Sequence, residues 1–97
     1  MKQLRIMVVC GFGLGSSLIL KITLDEVLQA HQLKADTFCS DAETAKGQRF
    51  DLVLTSAELT RLFTGIAQPV VVISDFLSKV EVTSKALPVI QELLQVE

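Results

Sequence analysis

A cysteine directly before a glycine-rich segment is the feature of this sequence best suited to chemistry. Cys10 ends an apolar run, and Gly11, Gly13 and Gly15 alternate with other residues before the hydroxyl pair Ser16-Ser17. Glycine lets the backbone adopt positive φ and approach a ligand closely. A free thiol titrates near pKa ~8.5, but at a helix N-terminus its pKa falls and the nucleophilic thiolate forms at neutral pH. The pattern therefore predicts that Cys10 is a reactive thiol that becomes phosphorylated.

The phosphate in that hypothesis would be held by the residues after the cysteine. The predicted phosphate-binding residues are Gly11, Phe12, Gly13, Leu14, Gly15, Ser16 and Ser17. The alternative is that Cys10 is a small buried thiol that closes a strand, with the glycines needed only for a tight turn. Three alternating glycines followed by two hydroxyls favour the phosphate site.

Two elements must position this segment. The apolar run before Cys10 predicts a strand over Met1–Val9 that is buried on both faces of a parallel sheet. Helical spacing over Leu18–His31 predicts a helix after the loop. A loop of this kind joins the end of a strand to a helix N-terminus, where unpaired amides and the helix dipole favour an anion. The predicted core-facing residues of the helix are Leu20, Leu24, Val27, Leu28 and His31.

The opposite face of that helix carries two apolar residues near the cysteine. Leu18 and Ile22 lie one turn apart among polar neighbours, which predicts a docking surface for a partner protein. Packing under a neighbouring loop is the alternative. Lys21, the first basic residue after Cys10, is expected to form an ordinary surface ion pair with Asp25 at i,i+4 spacing.

The rest of the chain alternates strand and helix patterns. Strands are predicted over residues 34–39, 51–55 and 70–73, with a short helix capped by Ser40 and a helical segment over Glu58–Phe63. A loop is predicted over Phe76–Val82, with a loop that contains one turn of helix as the alternative. A last helix is predicted over Ser84–Gln95, with its regular part starting near Pro88.

These elements predict one α/β domain over residues 1–97, of the Rossmann or flavodoxin-like type. Its four parallel strands are expected in the order 2-1-3-4, with helices on both faces. Ligands of such sheets lie beyond the C-terminal strand ends where the order reverses. We therefore expect Ser56, Ser74 and Asp75 to border the cysteine loop.

Composition excludes several classes of function. A net charge of −2, with nine basic residues dispersed among eleven acidic ones and no Trp or Tyr, argues against nucleic-acid binding. No apolar run is long enough to cross a bilayer and no signal-peptide pattern is present, so a cytoplasmic protein is expected. The spacing of Cys10 and Cys39, with His31 as the only histidine, predicts free thiols, no metal and no cofactor. Cys39 is interpreted as a structural thiol.

The segment from Val9 to Ser17 resembles the IIB subunits of bacterial phosphoenolpyruvate-dependent sugar phosphotransferase systems. It is most similar to the L-ascorbate type, in which a cysteine ending the first strand precedes a G-x-G-x-G-S-S loop; galactitol-type subunits begin with a related loop. The resemblance implies that Cys10 accepts a phosphoryl group from a phosphohistidine of a IIA protein. It also implies that Cys10 passes the group to a sugar held by a membrane IIC permease, which determines the sugar specificity.

The same loop resembles that of low-molecular-weight tyrosine phosphatases, Cys-x5-Arg-Ser, whose fold is also similar to the predicted one. Ser16 occupies the place of the phosphatase arginine, and no arginine lies elsewhere in the loop. That arginine grips the phosphate and stabilises the transition state, with an aspartate as proton donor, a role for which Asp75 is the candidate. Its absence favours a carrier, while a hydrolase and a non-catalytic phosphate-binding module remain the alternatives.

Overall fold

The computed structural model describes residues 4–9, 14–45 and 47–95, which alternate between strands and helices. The strands are β1 (Arg5–Val9), β2 (Asp36–Ser40), β3 (Leu52–Thr55) and β4 (Val70–Val72). The helices are α1 (Leu14–Ala30), α2 (Ala42–Ala45), a 3₁₀ helix (Ala57–Phe63) and α3 (Lys79–Gln95). The predicted fold class, an α/β protein with helical connections between strands, is confirmed.

The four strands form one parallel sheet in the order β2-β1-β3-β4, as predicted. Val9 at the end of β1 pairs with Ser40 on one side and with Thr55 on the other, and Thr55 pairs with Val72. The carboxyl ends of the strands therefore lie at one level. The strand order reverses beside β1, and this is the position where ligands of parallel α/β sheets bind.

The core has two layers, one on each face of the sheet. Alternate residues of β1 point to opposite faces: Ile6 and Val8 pack with α1 and α3, whereas Met7 and Val9 pack with α2 and the 3₁₀ helix. All four are fully buried. This burial on both faces is why β1 is a nearly continuous apolar run.

The start of α1 differs from the prediction. The helix begins at Leu14, so Leu14, Gly15, Ser16 and Ser17, which were predicted to belong to the loop, form its first turn. Glycine and serine have low helix propensity, and this composition is typical of loops. The helix nevertheless extends through them.

The prediction of which α1 residues face the core is confirmed at the four aliphatic positions and wrong at the fifth, His31. The buried residues are Leu20, Leu24, Val27 and Leu28. His31 is exposed because the helix ends at Ala30 and the chain turns at Gln32, which has a φ of 57°. The imidazole Nδ1 lies 3.0 Å from the carbonyl oxygen of Val27 at the surface.

The start of α3 also differs from the prediction, since residues 79–82 are helical rather than part of a loop. Ser78 caps the helix: its Oγ accepts a hydrogen bond of 3.1 Å from the Glu81 amide, and its carbonyl accepts one of 3.1 Å from the Val82 amide. Serine at the N-cap satisfies amides that have no partner within the helix. The start of α3 is therefore set by the N-cap at Ser78, and not by Pro88 as the sequence predicted.

Pro88 lies inside α3 instead of at its start. Val82, Ala86 and Ile90 form a buried stripe that extends from before the proline to beyond it. Pro88 itself is exposed. Burial of this stripe against the sheet therefore maintains the helix despite the missing amide donor.

Candidate functional site

The candidate site lies at the carboxyl end of β1. Cys10, Gly11, Phe12 and Gly13 lie outside the described residues, but both of their flanks are described. β1 ends at Val9 and α1 begins at Leu14. The segment predicted to bind phosphate therefore links the end of a central strand to the start of a 17-residue helix.

The first turn of α1 contains the last four predicted phosphate-binding residues, Leu14, Gly15, Ser16 and Ser17; their side-chain positions lie outside the description. This turn contains no acidic residue. The partial positive charge of the helix N-terminus is therefore not offset by a carboxylate of its own first turn. Such an end can bind an anion through its free amides.

The end of β3 lies beside the end of β1 and carries a hydroxyl that sequence reasoning missed. Thr55 is completely buried, and its Oγ1 has no hydrogen-bond partner in the part of the chain that the structure describes. Ser56, which was expected to border the loop, is half-buried at the next position. The sequence feature that could have identified this hydroxyl is a threonine at the end of the apolar run Leu52–Leu54, where valine would be the ordinary choice.

The segment after β4 is held by hydrogen bonds from its backbone amides to carboxylate side chains. The amides of Ser74 and Asp75 donate to the Glu81 carboxylate at 2.6 and 2.8 Å. The Asp75 carboxylate in turn accepts a bond of 3.0 Å from the Leu77 amide. Both Ser74 and Asp75 are exposed at the predicted sheet edge, while their distance to Cys10 lies outside what is described.

Glu81 is a second residue at this edge that sequence reasoning missed. Its carboxylate also accepts a hydrogen bond of 2.6 Å from Lys85 Nζ. The Lys85 bond, followed by the bonds from the Ser74 and Asp75 amides, lowers the pKa of Glu81 from 4.5 to about 2. The detectable signal was the i,i+4 spacing of Glu81 and Lys85 just after a capping serine.

α1 is tied to the segment before α3. The Thr23 hydroxyl lies 2.7 Å from the carbonyl oxygen of Phe76 and 3.1 Å from that of Ile19, and it is buried. Lys79 Nζ lies 3.2 Å from Glu26 Oε1. These contacts fix the segment after β4 against the helix that follows the cysteine loop.

Lys21 forms the predicted ion pair, with its Nζ 2.9 Å from Asp25 Oδ2. The hydrogen bond to Asp25 raises the pKa of Lys21. Asp25 also accepts a bond of 2.6 Å from the Thr37 hydroxyl. Because the Lys21 ammonium is held by this carboxylate, the arrangement favours a structural role over contact with phosphate.

The predicted docking residues are at the surface. Leu18 is 51% and Ile22 is 50% exposed, as their position on the polar side of the helix predicts. Leu77 and Val80, at 74% and 79%, flank the residues that contact α1. We call Leu18, Ile19, Ile22, Leu77 and Val80 the apolar patch; its residues lie in the first half of α1, in the segment just before α3 and in the first turn of α3.

Among the described residues, no group of three or more His, Cys, Asp or Glu side chains is arranged to hold a metal ion. Cys39, predicted to be a structural thiol, is half-buried and free. Within the described ranges, none of the helices combines the length and the apolar character needed to cross a bilayer.

The parallel sheet with this strand order, covered by helices on both faces, defines the chain as an α/β protein of the doubly wound type. The sequence matches the family described as "PTS system, Lactose/Cellobiose specific IIB subunit" over residues 5–85. The chain therefore belongs to this family of IIB subunits, which are phosphoryl-carrying components of sugar phosphotransferase systems.

A solved structure with a similar fold is the lactose-specific IIB component domain of the phosphoenolpyruvate:carbohydrate phosphotransferase system from Streptococcus pneumoniae. The TM-score is 0.57 and the sequence identity is 16%, with 97% of each chain covered. At this identity the likeness concerns the fold. Comparison with curated proteins finds no match.

Proposed function

We propose that this chain, acting as a single domain over residues 1–97, carries a phosphoryl group on Cys10 in the cytoplasm. A IIA phosphohistidine protein is the donor, and a sugar bound by a membrane IIC permease is the acceptor. The observation that carries the proposal is the junction of β1 and α1: a central strand ends one residue before the cysteine, and an acid-free helix N-terminus begins four residues after it. The reaction needs neither a metal nor a cofactor.

The two transfers are in-line displacements at phosphorus. In the first, the Cys10 thiolate attacks the phosphorus of phosphohistidine; the S–P bond forms, the N–P bond breaks, and the imidazole leaves with the bonding electron pair. In the second, a sugar hydroxyl oxygen attacks the same phosphorus and loses its proton, the S–P bond breaks, and the thiolate is regenerated. Both steps require stabilisation of charge on the three equatorial oxygens.

That stabilisation is assigned to the backbone amides of residues 11–17, the positive end of α1 and the hydroxyls of Ser16 and Ser17. A helix N-terminus lowers the pKa of a nearby thiol by favouring the thiolate, and it favours the phosphoryl dianion for the same reason. Because Ser16 replaces the arginine of phosphatase loops, water attack on phosphocysteine lacks its main electrostatic support. A carrier is therefore favoured over a hydrolase.

L-Ascorbate is the sugar that we propose, on the similarity of the Cys10–Ser17 segment to the ascorbate-type loop. The family description names lactose and cellobiose, so the acceptor must be tested directly. Membranes containing an ascorbate-type IIC should consume the phosphocysteine when ascorbate is added and should leave it intact with galactitol, lactose or cellobiose. Consumption with one of those sugars and its own IIC would reassign the subtype and leave the carrier role unchanged.

The carrier role is tested by replacing each cysteine in turn. With a reconstituted phosphoenolpyruvate relay, the wild type and Cys39→Ser should each acquire one acid-stable, iodine-sensitive phosphoryl group, whereas Cys10→Ser should acquire none. Cys39 is the matched control because it is the other thiol in the chain. A label on His31 or Cys39, or full labelling of Cys10→Ser, would contradict the assignment. Sustained release of phosphate from an aryl phosphate at neutral pH would instead support the hydrolase.

A further inference from the structure

The two most exposed large apolar side chains of the described residues lie just before α3 and in its first turn. Leu77 is 74% and Val80 is 79% exposed, whereas the α1 residues of the apolar patch are at most 51% exposed. Such side chains add little to the core, and a group of them commonly marks an interaction surface. We call Asp75, Leu77 and Val80 the β4–α3 face.

The backbone that carries this face is fixed by hydrogen bonds. The amides of Ser74 and Asp75 donate to the Glu81 carboxylate at 2.6 and 2.8 Å. The Phe76 carbonyl oxygen lies 2.7 Å from the Thr23 hydroxyl of α1. A surface that is already ordered loses little conformational entropy when a partner binds, so the β4–α3 face is preorganised for binding.

The β4–α3 face carries a negative charge. Asp75 is exposed, and its carboxylate contacts a backbone amide at 3.0 Å, with no ion-pair partner in the described ranges. The basic residues that follow on α3 are already paired: Lys79 Nζ lies 3.2 Å from Glu26 Oε1. Lys85 Nζ lies 2.6 Å from Glu81 Oε2. The face therefore combines exposed apolar groups with a carboxylate that is available to a cation of a partner.

The two edges of the sheet show the same polarity of charge. Glu58, three residues after the end of β3, is a second exposed carboxylate at the carboxyl edge, without an ion pair in the described part of the chain. Lys34 and Arg49, which precede β2 and β3 at the amino edge, are exposed and have no carboxylate partner among the residues described. This distribution attracts a basic partner to the carboxyl edge and orients it there.

We infer that the membrane IIC permease docks on the β4–α3 face through basic residues of its cytoplasmic loops, an inference that rests on the proposed function. Cytoplasmic loops of membrane proteins carry an excess of lysine and arginine, which supply the counter-charges for Asp75 and Glu58. The cytoplasmic lipid leaflet is itself anionic and repels an acidic surface. Charge complementarity therefore selects the permease over the bilayer. The soluble donor is under no such charge rule and is not expected to depend on these carboxylates.

The test measures phosphoryl transfer from the phosphorylated protein to the sugar in vesicles that contain the IIC permease. Varying the concentration of the protein gives its KM for the permease. Leu77→Gln/Val80→Gln should raise this KM about 10-fold at unchanged kcat, and Glu58→Gln/Asp75→Asn should raise it about threefold to 10-fold at low salt. High salt should raise the wild-type KM and abolish its difference from the carboxylate variant, because ions screen exposed charges.

Two exposed residues away from the face provide matched controls. Glu92→Gln removes a carboxylate farther along α3, and Ile66→Gln replaces an apolar side chain near the amino edge. Both should keep the wild-type KM for the permease. Both double variants should keep the wild-type KM for the donor protein and a melting temperature near that of the wild type. Asparagine at position 75 retains an oxygen that can accept the Leu77 amide, so this substitution tests the charge.

The inference is overturned if both double variants keep a KM for the permease within about twofold of the wild type. It is also overturned if the KM for the donor rises equally, or if vesicles without permease bind the wild type as well as vesicles that contain it. A wild type that takes no label from the donor removes the proposed function and this inference together. A labelled wild type whose variants transfer to the sugar with unchanged KM removes this inference alone.

Discussion

Glu81 is the side chain that holds the segment after β4 against the start of α3. Its carboxylate accepts hydrogen bonds from two successive amides, those of Ser74 and Asp75, and from Lys85 Nζ. These bonds to the charged form keep the pKa of Glu81 at about 2, against an ordinary value of 4.5. The carboxylate therefore contributes to stability in its ionised state, and this contribution depends on pH.

The sign of that dependence follows from the lowered pKa. A carboxylate whose folded-state pKa lies below its unfolded value stabilises the fold above about pH 4.5, and the stabilisation disappears as the pH falls towards about 2. We expect Glu81→Gln to lower the melting temperature at pH 7 by roughly 4–8 °C, since solvent screening keeps the effect near about 1 kcal/mol. Below about pH 3 the difference from the wild type should shrink.

The measurement is a series of thermal melts between pH 7 and pH 2.5, with Glu92→Gln as the control. Glu92 is also on α3 and is exposed, and its carboxylate has no hydrogen-bond or ion-pair partner among the described residues, so the melting curves of Glu92→Gln should follow the wild type at every pH. A constant difference between Glu81→Gln and the wild type across this range would show that the carboxylate acts by packing instead of by charge.

At the scale of the elements, burial explains which predictions from sequence succeeded. The strands were predicted because both faces of β1 and β3 are covered, which requires uninterrupted apolar residues. The helix starts were predicted less well. Gly15, Ser16 and Ser17 have weak helix propensity, yet they continue α1, and Ser78 caps α3 through a contact that depends on the backbone conformation.

The same reasoning explains which parts of the candidate site could be predicted. The cysteine, the glycines and their place between a strand and a helix are local sequence features, and so is the spacing of Leu18 and Ile22. The burial of Thr55 and the hydrogen bonds that Glu81 accepts from the Ser74 and Asp75 amides both involve segments distant in sequence. They depend on strand register and on the path of the β4–α3 segment, which no local pattern encodes.

Pro88 allows a direct test of the balance between local propensity and burial in α3. Its nitrogen cannot donate to the Ser84 carbonyl, and the residue is exposed inside the helix. Pro88→Ala should restore this hydrogen bond and stabilise the fold by about 1–2 kcal/mol; the preference of about 3 kcal/mol for alanine over proline in a helix is partly offset by the greater freedom of the unfolded chain. Urea denaturation would measure the change.

The control for this prediction is Gln91→Ala, an exposed position of the same helix with an intact amide. It should change the free energy of unfolding by less than about 0.5 kcal/mol. A loss of stability in Pro88→Ala would mean that the proline fixes a bend on which the packing of Val82 and Ile90 depends.

For the whole molecule, the layered architecture leads us to expect that a partner approaches from the carboxyl edge of the sheet, where β1 ends at Val9. α1 and α3 cover one face, and α2 and the 3₁₀ helix cover the other. The apolar patch lies on the first half of α1 and beside the start of α3, and Thr23 and Glu26 link these two parts. The proposed carrier binds a donor and an acceptor in turn, and an exposed apolar surface on the helix that follows the Cys10 segment suits brief contacts with both.

We therefore predict that Leu18 and Ile22 contribute to binding of the phosphorylated donor protein without supporting the fold. The double variant Leu18→Gln/Ile22→Gln should raise the KM for the donor about 10-fold, which corresponds to a loss of about 0.7 kcal/mol of binding free energy for each side chain. The kcat should change less than the KM, and the melting temperature should stay near that of the wild type because both side chains are half exposed.

The matched control is Ile66→Gln, which replaces another exposed isoleucine. Ile66 lies with Gln48 and Phe50 near the amino ends of β3 and β4, at the opposite edge of the sheet from the cysteine segment. This variant should leave the KM unchanged, because a partner that reaches the carboxyl edge does not contact it. Initial rates measured over a range of donor concentrations separate KM from kcat. An equal rise in KM for both variants, or no rise in the double variant, would show that the donor binds another surface. A lower kcat with an unchanged KM would show that Leu18 and Ile22 contribute to the transfer step and not to donor binding.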